Sequence, residues 1–164
     1  MDVFLGATSR FCIGTSSGYF RIPRFFGVPV LFTNISNGVE YFSMRKHDLA
    51  LLRLLKLKDR NNYLSFQEYL SPPISMFWSM NSFIKAGLHC IENTPEILET
   101  ATKEMIEQTT YSKSYSKSDD ELQRRFKAQA EICGLKYDGR PMNAFAPISR
   151  DFLEMHADLL ENNQ

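Results

Sequence analysis

The sequence predicts an α/β fold in which a short, mainly parallel sheet is flanked by helices and the C-terminal end is helical. Two nearly continuous apolar runs, at 10–14 and 28–33, are typical of parallel strands that are covered on both faces. A turn of small residues and a short helix separate these runs, and this order is the unit from which open α/β sheets are built. Only one further strand, at 88–91, is predicted, so we expect an incomplete Rossmann-like domain.

Helix starts are marked by capping residues. The expected caps are Ser65 with Glu68 (an S-x-x-E capping box), Thr94 followed by Pro95, Ser118 with Glu121 (a second box) and Ser149. The expected helices lie at 2–8, at 63–70, between Pro73 and Gly87, from 95 onward, from 118 to Gly134 and after 149. The second half of the chain is therefore predicted to be mostly helical.

Four segments lack a regular pattern: 34–38, 47–58, 109–118 and 137–146. The segment 34–38 is predicted to be a turn-rich loop. The leucines of 47–58 fit neither the strand period nor the helix period, which favours an irregular or partly helical connection there. The segment 109–118 consists almost entirely of Ser, Thr, Tyr and Lys, which is typical of a mobile loop. None of these segments marks a domain boundary, so we expect 1–164 to be a single domain.

Composition narrows the class of protein. The 164 residues carry equal numbers of acidic and basic side chains, so the whole chain offers no electrostatic case for binding nucleic acid. The three cysteines, Cys12, Cys90 and Cys133, are widely spaced and odd in number, which predicts free thiols in a reducing compartment. No cysteine or histidine spacing matches a metal site, and we expect neither a metal nor another cofactor.

No targeting or membrane-spanning segment is visible in the sequence. The chain opens with Met1-Asp2 and lacks a charged and apolar leader, and its longest apolar run, 25–32, is too short to cross a bilayer. We therefore expect a cytoplasmic protein without a transmembrane segment. Peripheral contact with a membrane is compatible with this expectation.

The turn Gly14-Thr15-Ser16-Ser17-Gly18 is open to three interpretations. It matches G-x-S-x-G, the nucleophile elbow of α/β-hydrolases, with Ser16 as nucleophile and His156 as base. However, only 13 residues precede Gly14, too few for the upstream strands of that fold. A second interpretation is a loop whose small residues allow tight packing. The third is a phosphate cradle, in which backbone N–H groups and the turn's hydroxyls donate to anionic oxygens.

Two arginines follow the turn. Arg21 and Arg24 are one helical turn apart, a spacing that would let them complete a diphosphate clamp. The alternative is that each arginine is a solvated surface charge. The sequence has neither the Lys-Ser or Lys-Thr of a Walker A loop nor G-x-G-x-x-G. A simple anion cradle is therefore the nucleotide-binding interpretation that is left.

An ordered set of short motifs resembles a family of bacterial glycosyltransferases from surface-polysaccharide clusters. The motifs are Gly14-Thr15-Ser16-Ser17-Gly18, Ile22-Pro23, Phe26-Gly27-Val28-Pro29-Val30, Thr33-Asn34, Asp48-Leu49, Leu64-Ser65-Phe66-Gln67-Glu68 and Asn93-Thr94-Pro95-Glu96-Ile97. With the terminal helix they cover most of the chain. The resemblance implies the GT-B architecture, in which two Rossmann-like domains face a cleft and the C-terminal one holds the nucleotide-sugar.

The resemblance also implies site residues. Those for the donor diphosphate and sugar are Gly14, Thr15, Ser16, Ser17, Gly18, Arg21, Arg24 and Asn34. Asp48 and Glu68 are weaker candidates for ribose or sugar hydroxyls, and each is otherwise explained as a solvated or capping carboxylate. The reaction would be sugar transfer, in which N–H donors and arginines stabilise the charge leaving on the diphosphate without a metal.

On this resemblance the chain begins inside the nucleotide-binding domain. It would lack the first strands of that domain and the N-terminal acceptor-binding half, which would normally supply the catalytic base. We therefore expect the donor-binding portion of a glycosyltransferase, inactive alone. One alternative is a non-catalytic α/β interaction module, which the high phenylalanine content favours. A less favoured alternative is a serine hydrolase that uses Ser16.

Overall fold

The computed structural model describes residues 2–15, 17–59, 62–111, 115–133, 136–137, 140–141 and 146–161. The helices are α1 (Asp2–Thr8), α2 (Arg21–Phe25), α3 (Gly38–Phe42), α4 (Phe66–Leu70), α5 (Met80–Lys85), α6 (Pro95–Thr110), α7 (Lys117–Cys133) and α8 (Arg150–Met155), with short 3₁₀ helices at Gly18–Phe20, Ile74–Met76 and Ala157–Leu160. The strands are β1 (Cys12–Gly14), β2 (Val30–Ile35), β3 (Leu49–Leu52), β4 (Leu54–Leu57), β5 (Leu88–Ile91), β6 (Lys136–Tyr137) and β7 (Arg140–Pro141). The protein is therefore mixed α/β, as predicted.

Strands β1, β2 and β3 form a parallel sheet in that order. Cys12 pairs with Val30 and Leu31 pairs with Leu49, so each connection crosses from the end of one strand to the start of the next. The parallel arrangement of the first two apolar runs is confirmed. All three strands end at one edge of the sheet, which we call the carboxyl edge, and begin at the opposite, amino edge.

The centre of the core is formed by β2 and β3. All four residues of β3 and five of the six residues of β2 are buried, because both faces of these strands are covered. On the far side of β3, residues 147–149 hydrogen-bond to Ala50 through a parallel bridge. Among the described strands, β1 therefore lies at the outer side of the sheet, and its Ile13 is 52% exposed.

The segment 47–58 contains two strands, so the prediction of an irregular or partly helical connection was wrong. Only Arg53 separates β3 from β4, yet β3 pairs with β2 whereas β4 pairs antiparallel with β5. The leucines of β3 are buried on both faces, and this hides the alternation by which a strand is recognised. The predicted strand at 88–91 does form, but it pairs antiparallel with β4, and the third strand of the parallel sheet is β3.

Two other boundaries differ from the predictions. β2 continues through Ile35, and the side chain of Asn37 caps α3 by accepting a hydrogen bond from the Glu40 N–H at 2.7 Å, so 34–38 is not a simple loop. The helix expected between Pro73 and Gly87 is instead a 3₁₀ helix followed by α5, which is capped by Ser79. In both places a capping side chain starts a short helix that hydrophobic periodicity does not reveal.

The capping predictions have mixed outcomes. The Ser65–Glu68 box and the Thr94 cap are confirmed. The cap of α7 is made by Ser116 and Asp119, whose backbone N–H groups each donate to the other's side chain, and not by Ser118 and Glu121. Ser149 precedes α8 as expected, but it makes no side-chain cap hydrogen bond to that helix.

The two predicted loops of the second half are shorter than expected. Helix α6 extends through Thr110 and α7 begins at Lys117, which takes residues from both ends of the predicted loop at 109–118. Residues 112–114 lie outside the described residues. Within 137–146, strands β6 and β7 pair antiparallel, and residues 138–139 and 142–145 lie outside the described residues.

Gly87 allows a test of the turn that ends α5. Its φ of +71° lies in the left-handed region that favours glycine, whereas Gly18 has no positive φ and an added Cβ there would meet no atom within 4 Å. We expect Gly87→Ala to lower the free energy of unfolding by about 1 kcal/mol. Gly18→Ala should leave it unchanged. Denaturant unfolding of both variants measures the difference, and equal losses would contradict this account.

Candidate functional site

The turn at 15–18 follows β1 at the carboxyl edge of the sheet. Thr15, Ser17 and Gly18 are exposed, and the turn continues into a 3₁₀ helix and then α2. The hydroxyl of Thr33 on β2 donates to the carbonyl oxygen of Gly14 at 3.3 Å, which fixes the base of the turn. Ser16 lies outside the described residues. The turn is at the edge where open α/β sheets bind their ligands.

The packing of the protein does not require the glycines of the turn. A Cβ added to Gly14 or Gly18 would meet no atom within 4 Å, and neither residue has a positive φ. The interpretation of the turn as a tightly packed loop therefore has no support from the described neighbours. The space beside both glycines is open, as a loop that contacts a ligand through its backbone requires.

The two arginines after the turn have different surroundings. Arg21 is exposed, whereas the guanidinium of Arg24 lies 5.7 Å and 5.6 Å from the ring centroids of Phe20 and Phe32 and 3.5 Å from Oδ2 of Asp48. Burial lowers the pKa of Arg24 from its ordinary value, and the charge of Asp48 opposes this change. Because Asp48 precedes β3, these contacts hold Arg24 toward the amino edge, away from the turn.

Asp48 is a buried structural carboxylate. Its oxygens accept hydrogen bonds from the backbone N–H groups of Val30 at 3.0 Å and Arg45 at 2.9 Å, and from the Arg45 guanidinium at 2.8 Å. These contacts join the start of β2 to the start of β3. The side chain has no exposed surface with which to bind a ribose or sugar hydroxyl.

Glu68 has the capping role that the sequence left open. Its Oε2 accepts hydrogen bonds from the N–H of Ser65 at 2.8 Å and from the Ser65 hydroxyl at 2.9 Å. The helix that it caps, α4, packs against α7 and the 3₁₀ helix Ile74–Met76. The geometry thus favours a structural function for this carboxylate over contact with a sugar.

Asn34 lies near the end of β2, as the resemblance implies, and its side chain links two elements. Its φ is +55°, and its Oδ1 accepts hydrogen bonds from the backbone N–H of Asn93 at 3.0 Å and from Asn93 Nδ2 at 2.8 Å. The same amide of Asn93 donates to the carbonyl oxygen of Leu52 at 2.9 Å. The loop before α6 is thereby fixed across the ends of β2 and β3.

A cation at the carboxyl edge was missed by sequence reasoning. Arg53 directly follows β3, and its guanidinium donates to the Ser36 hydroxyl at 3.1 Å and to Oε1 of Glu92 at 2.6 Å. The Cys90 thiol lies near it: burial raises the pKa of this thiol, and the charge of Arg53 opposes the increase. If β3 had been predicted as a strand, an arginine directly after it would have indicated a cation at the carboxyl edge.

The arrangement around His156 offers little to a serine hydrolase. Its ring packs against Phe152 at 4.8 Å and Tyr63 at 6.3 Å between centroids, and its Nε2 is buried with no hydrogen-bond partner among the described residues. Burial lowers the pKa of His156, and Asp158 opposes the decrease. No carboxylate orients this ring through a hydrogen bond in the part of the chain that the structure describes, and Ser16 lies outside it.

Fold and site together define an α/β protein with a short parallel sheet and a polar turn at its carboxyl edge. Comparisons of the chain with protein-family models, curated proteins and solved structures found no match. Over the described ranges, no helix has both the length and the apolar character needed to cross a membrane. The same ranges contain no cluster of three or more His, Cys, Asp or Glu side chains suited to a metal ion.

Proposed function

We propose that this chain binds the diphosphate of a nucleotide-sugar at its carboxyl edge, as the donor-binding part of a glycosyltransferase. The turn at 14–18 carries the proposal, because its Thr15, Ser17 and Gly18 are exposed, it follows a parallel strand, and the space beside both glycines is open. Phosphate oxygens would accept hydrogen bonds from its backbone N–H groups and from the hydroxyls of Thr15 and Ser17. The ordered motifs that resemble surface-polysaccharide glycosyltransferases favour a nucleotide-sugar over other phosphates.

Arg53 would supply the positive charge that this site needs. β1 and β3 are two strand spacings apart, about 10 Å, so a diphosphate bound at the turn would place its second phosphate or its sugar toward Arg53. A guanidinium there would stabilise the negative charge that develops on the leaving diphosphate. Its present partner Glu92 is 65% exposed and the Arg53 side chain is 13% exposed, so a phosphate oxygen would have to replace the Glu92 carboxylate as the acceptor of this guanidinium.

The acceptor-binding residues and the catalytic base of such a reaction would come from another part of the enzyme. Sugar transfer requires a base that deprotonates the acceptor. We infer that a second, acceptor-binding half would supply this base, and that the chain alone binds the donor without transferring its sugar.

A Gly18→Val variant gives a sharp test, because a Cβ added at Gly18 would meet no atom within 4 Å, and the two methyl groups beyond it would obstruct a ligand that approaches the turn. Calorimetric titration of a panel of nucleoside diphosphates and nucleotide-sugars should show binding to the wild type and at least about tenfold weaker binding to Gly18→Val. Arg53→Gln should weaken binding by a similar factor. Unfolding curves should show that Gly18→Val keeps its stability.

Arg124→Gln is the matched control, since Arg124 is an exposed arginine on α7 that pairs with Glu121. It should bind as the wild type does. An intact, folded wild type that binds no member of the panel would refute the proposed donor site. Equal weakening by Arg124→Gln would show that the binding is non-specific electrostatic attraction.

An interaction module is the second candidate, and exposed apolar side chains favour it. Phe4 on α1, Ile13 on β1 and Phe25 on α2 are 69%, 52% and 86% exposed, and α1 packs against α2. If this surface binds a second copy, sedimentation velocity should show concentration-dependent association that Phe25→Ser abolishes. A chain that stays monomeric but binds nucleotides would favour the donor-binding function.

A further inference from the structure

A second cleft lies at the amino edge of the sheet, opposite the proposed donor site. Its lining includes Pro29, which immediately precedes β2 and whose carbonyl oxygen accepts from Cys12 N at 3.0 Å. It also includes Pro147, which immediately precedes the bridge residue Ile148 and whose carbonyl oxygen accepts from Ala50 N at 2.9 Å. Its volume is about 540 Å³, which is within the usual range of small-molecule sites. None of the residues that the resemblance implies in donor binding lines it.

The acidic or basic side chains of the described residues that line this cleft are, apart from the tyrosines, all basic. They are Arg10, Lys46 and His47, which stand before β1 and β3. In the part of the chain that the structure describes, none of the three forms an ion pair with a carboxylate, and no Asp or Glu lines the cleft. Nearby Asp48 is fully buried and bound to Arg45. Cationic groups that converge on a concave surface without counter-charges attract an anion.

The position of Arg10 is fixed by the end of α6. Its Nη1 donates to the hydroxyl of Thr110 at 3.0 Å, at a helix terminus whose partial negative charge stabilises a cation. Among the described residues, this is the one hydrogen bond of the Arg10 side chain, and it leaves most of the five guanidinium N–H donors available to a ligand. Arg10 can therefore bind a phosphate through a bidentate contact while it keeps its place.

Two tyrosines give the cleft an aromatic wall. The hydroxyl of Tyr115 donates to Oε1 of buried Glu104 at 3.0 Å and accepts a hydrogen bond from Nε2 of Gln108, so its orientation is fixed from behind. Tyr111 is 70% exposed at the end of α6. Aromatic rings beside cationic groups suit a ligand that carries a ring as well as a phosphate.

We propose that the amino-edge cleft binds a small phosphate monoester with a ring-bearing organic part. Arg10 and Lys46 bind the phosphate, His47 adds an imidazole donor, and Tyr111 and Tyr115 contact the ring. The proposal is independent of the donor site, because it uses the opposite edge of the sheet and different residues.

Calorimetric titration with adenosine 5′-monophosphate, inorganic phosphate and adenosine tests this proposal. The monophosphate should bind the wild type more tightly than inorganic phosphate does, and adenosine should bind weakly or not at all. Arg10→Gln and Lys46→Gln should each weaken monophosphate binding by about tenfold, as expected for loss of one charge-assisted contact. Tyr111→Ala should weaken binding of the monophosphate but not of inorganic phosphate.

Two controls separate this site from other sources of binding. Lys85→Gln removes an exposed lysine on α5 and should leave all affinities unchanged. Gly18→Val alters the proposed donor site at the carboxyl edge, and it should lower the affinity for the monophosphate less than Arg10→Gln or Lys46→Gln does. Denaturant unfolding should show that every variant is folded. Absence of monophosphate binding by the wild type would overturn the proposal. So would equal weakening by Lys85→Gln, or a loss of monophosphate binding in Gly18→Val with none in Lys46→Gln.

Discussion

Asp48→Ala should lower the free energy of unfolding by about 3 kcal/mol, because it leaves buried partners without their acceptor. The N–H of Val30, a fully buried residue, loses its hydrogen bond, and the guanidinium groups of Arg24 and Arg45 lose the carboxylate between them. Arg45 keeps its bonds to the carbonyl oxygens of Arg24 and Val28, which limits the loss. Denaturant unfolding monitored by circular dichroism gives the value.

Glu99→Ala is the control for removing a carboxylate from an ion pair. Glu99 pairs with Lys103 one turn along α6, and both side chains are mostly exposed. Such a pair contributes less than about 0.5 kcal/mol, so this variant should unfold almost as the wild type does. Similar losses for the two variants would contradict the structural role of Asp48. Asp48→Asn, which keeps one acceptor oxygen but not the charge, should lie between them.

The parts of the fold that sequence predicted are those set by local interactions. The capping box of Ser65 and Glu68 joins residues three apart, and the apolar run of β2 results from covering a parallel strand on both faces. Strands β3 and β4 were not predicted, because their formation depends on the strands with which they pair. One continuous leucine-rich stretch pairs first with β2 and then, beyond Arg53, with β5. No local hydrophobic periodicity distinguishes this change of pairing partner from an irregular segment.

The same reasoning explains the candidate site. The turn after β1 was predictable because a strand followed by small residues is a local pattern, and its open surroundings agree with a ligand-binding loop. The ion pair that holds Arg24 away from the turn was not predictable, because its partner Asp48 lies in a separate part of the chain. Asn34 was predicted at the strand end, but its partner Asn93 lies 59 residues away. Long-range polar contacts thus decided which candidates are free to bind a ligand.

Glu104 on α6 connects the start of α8 to Tyr115, which lines the amino-edge cleft. Although 2% exposed, its carboxylate accepts hydrogen bonds from the Ser149 hydroxyl at 3.0 Å, the Arg150 N–H at 2.8 Å and the Tyr115 hydroxyl at 3.0 Å. Burial raises the pKa of Glu104 above its ordinary value of 4.5, and these hydrogen bonds oppose the increase without cancelling it. The folded protein therefore binds a proton at Glu104 more readily than the unfolded chain does.

This difference predicts how stability depends on pH. A carboxyl group whose pKa is higher in the folded state contributes stability that is complete below the unfolded pKa and is lost as pH rises through the folded pKa. We expect wild type to lose stability relative to Glu104→Gln as pH rises from below 4.5 toward neutrality, since glutamine keeps the acceptor oxygen but does not titrate. Denaturant unfolding of both proteins across this range gives the difference at each pH, with Glu99→Gln as the control for removing a charge from α6. A difference that stays constant, or that changes in favour of wild type as pH rises, would show that burial does not dominate the environment of Glu104.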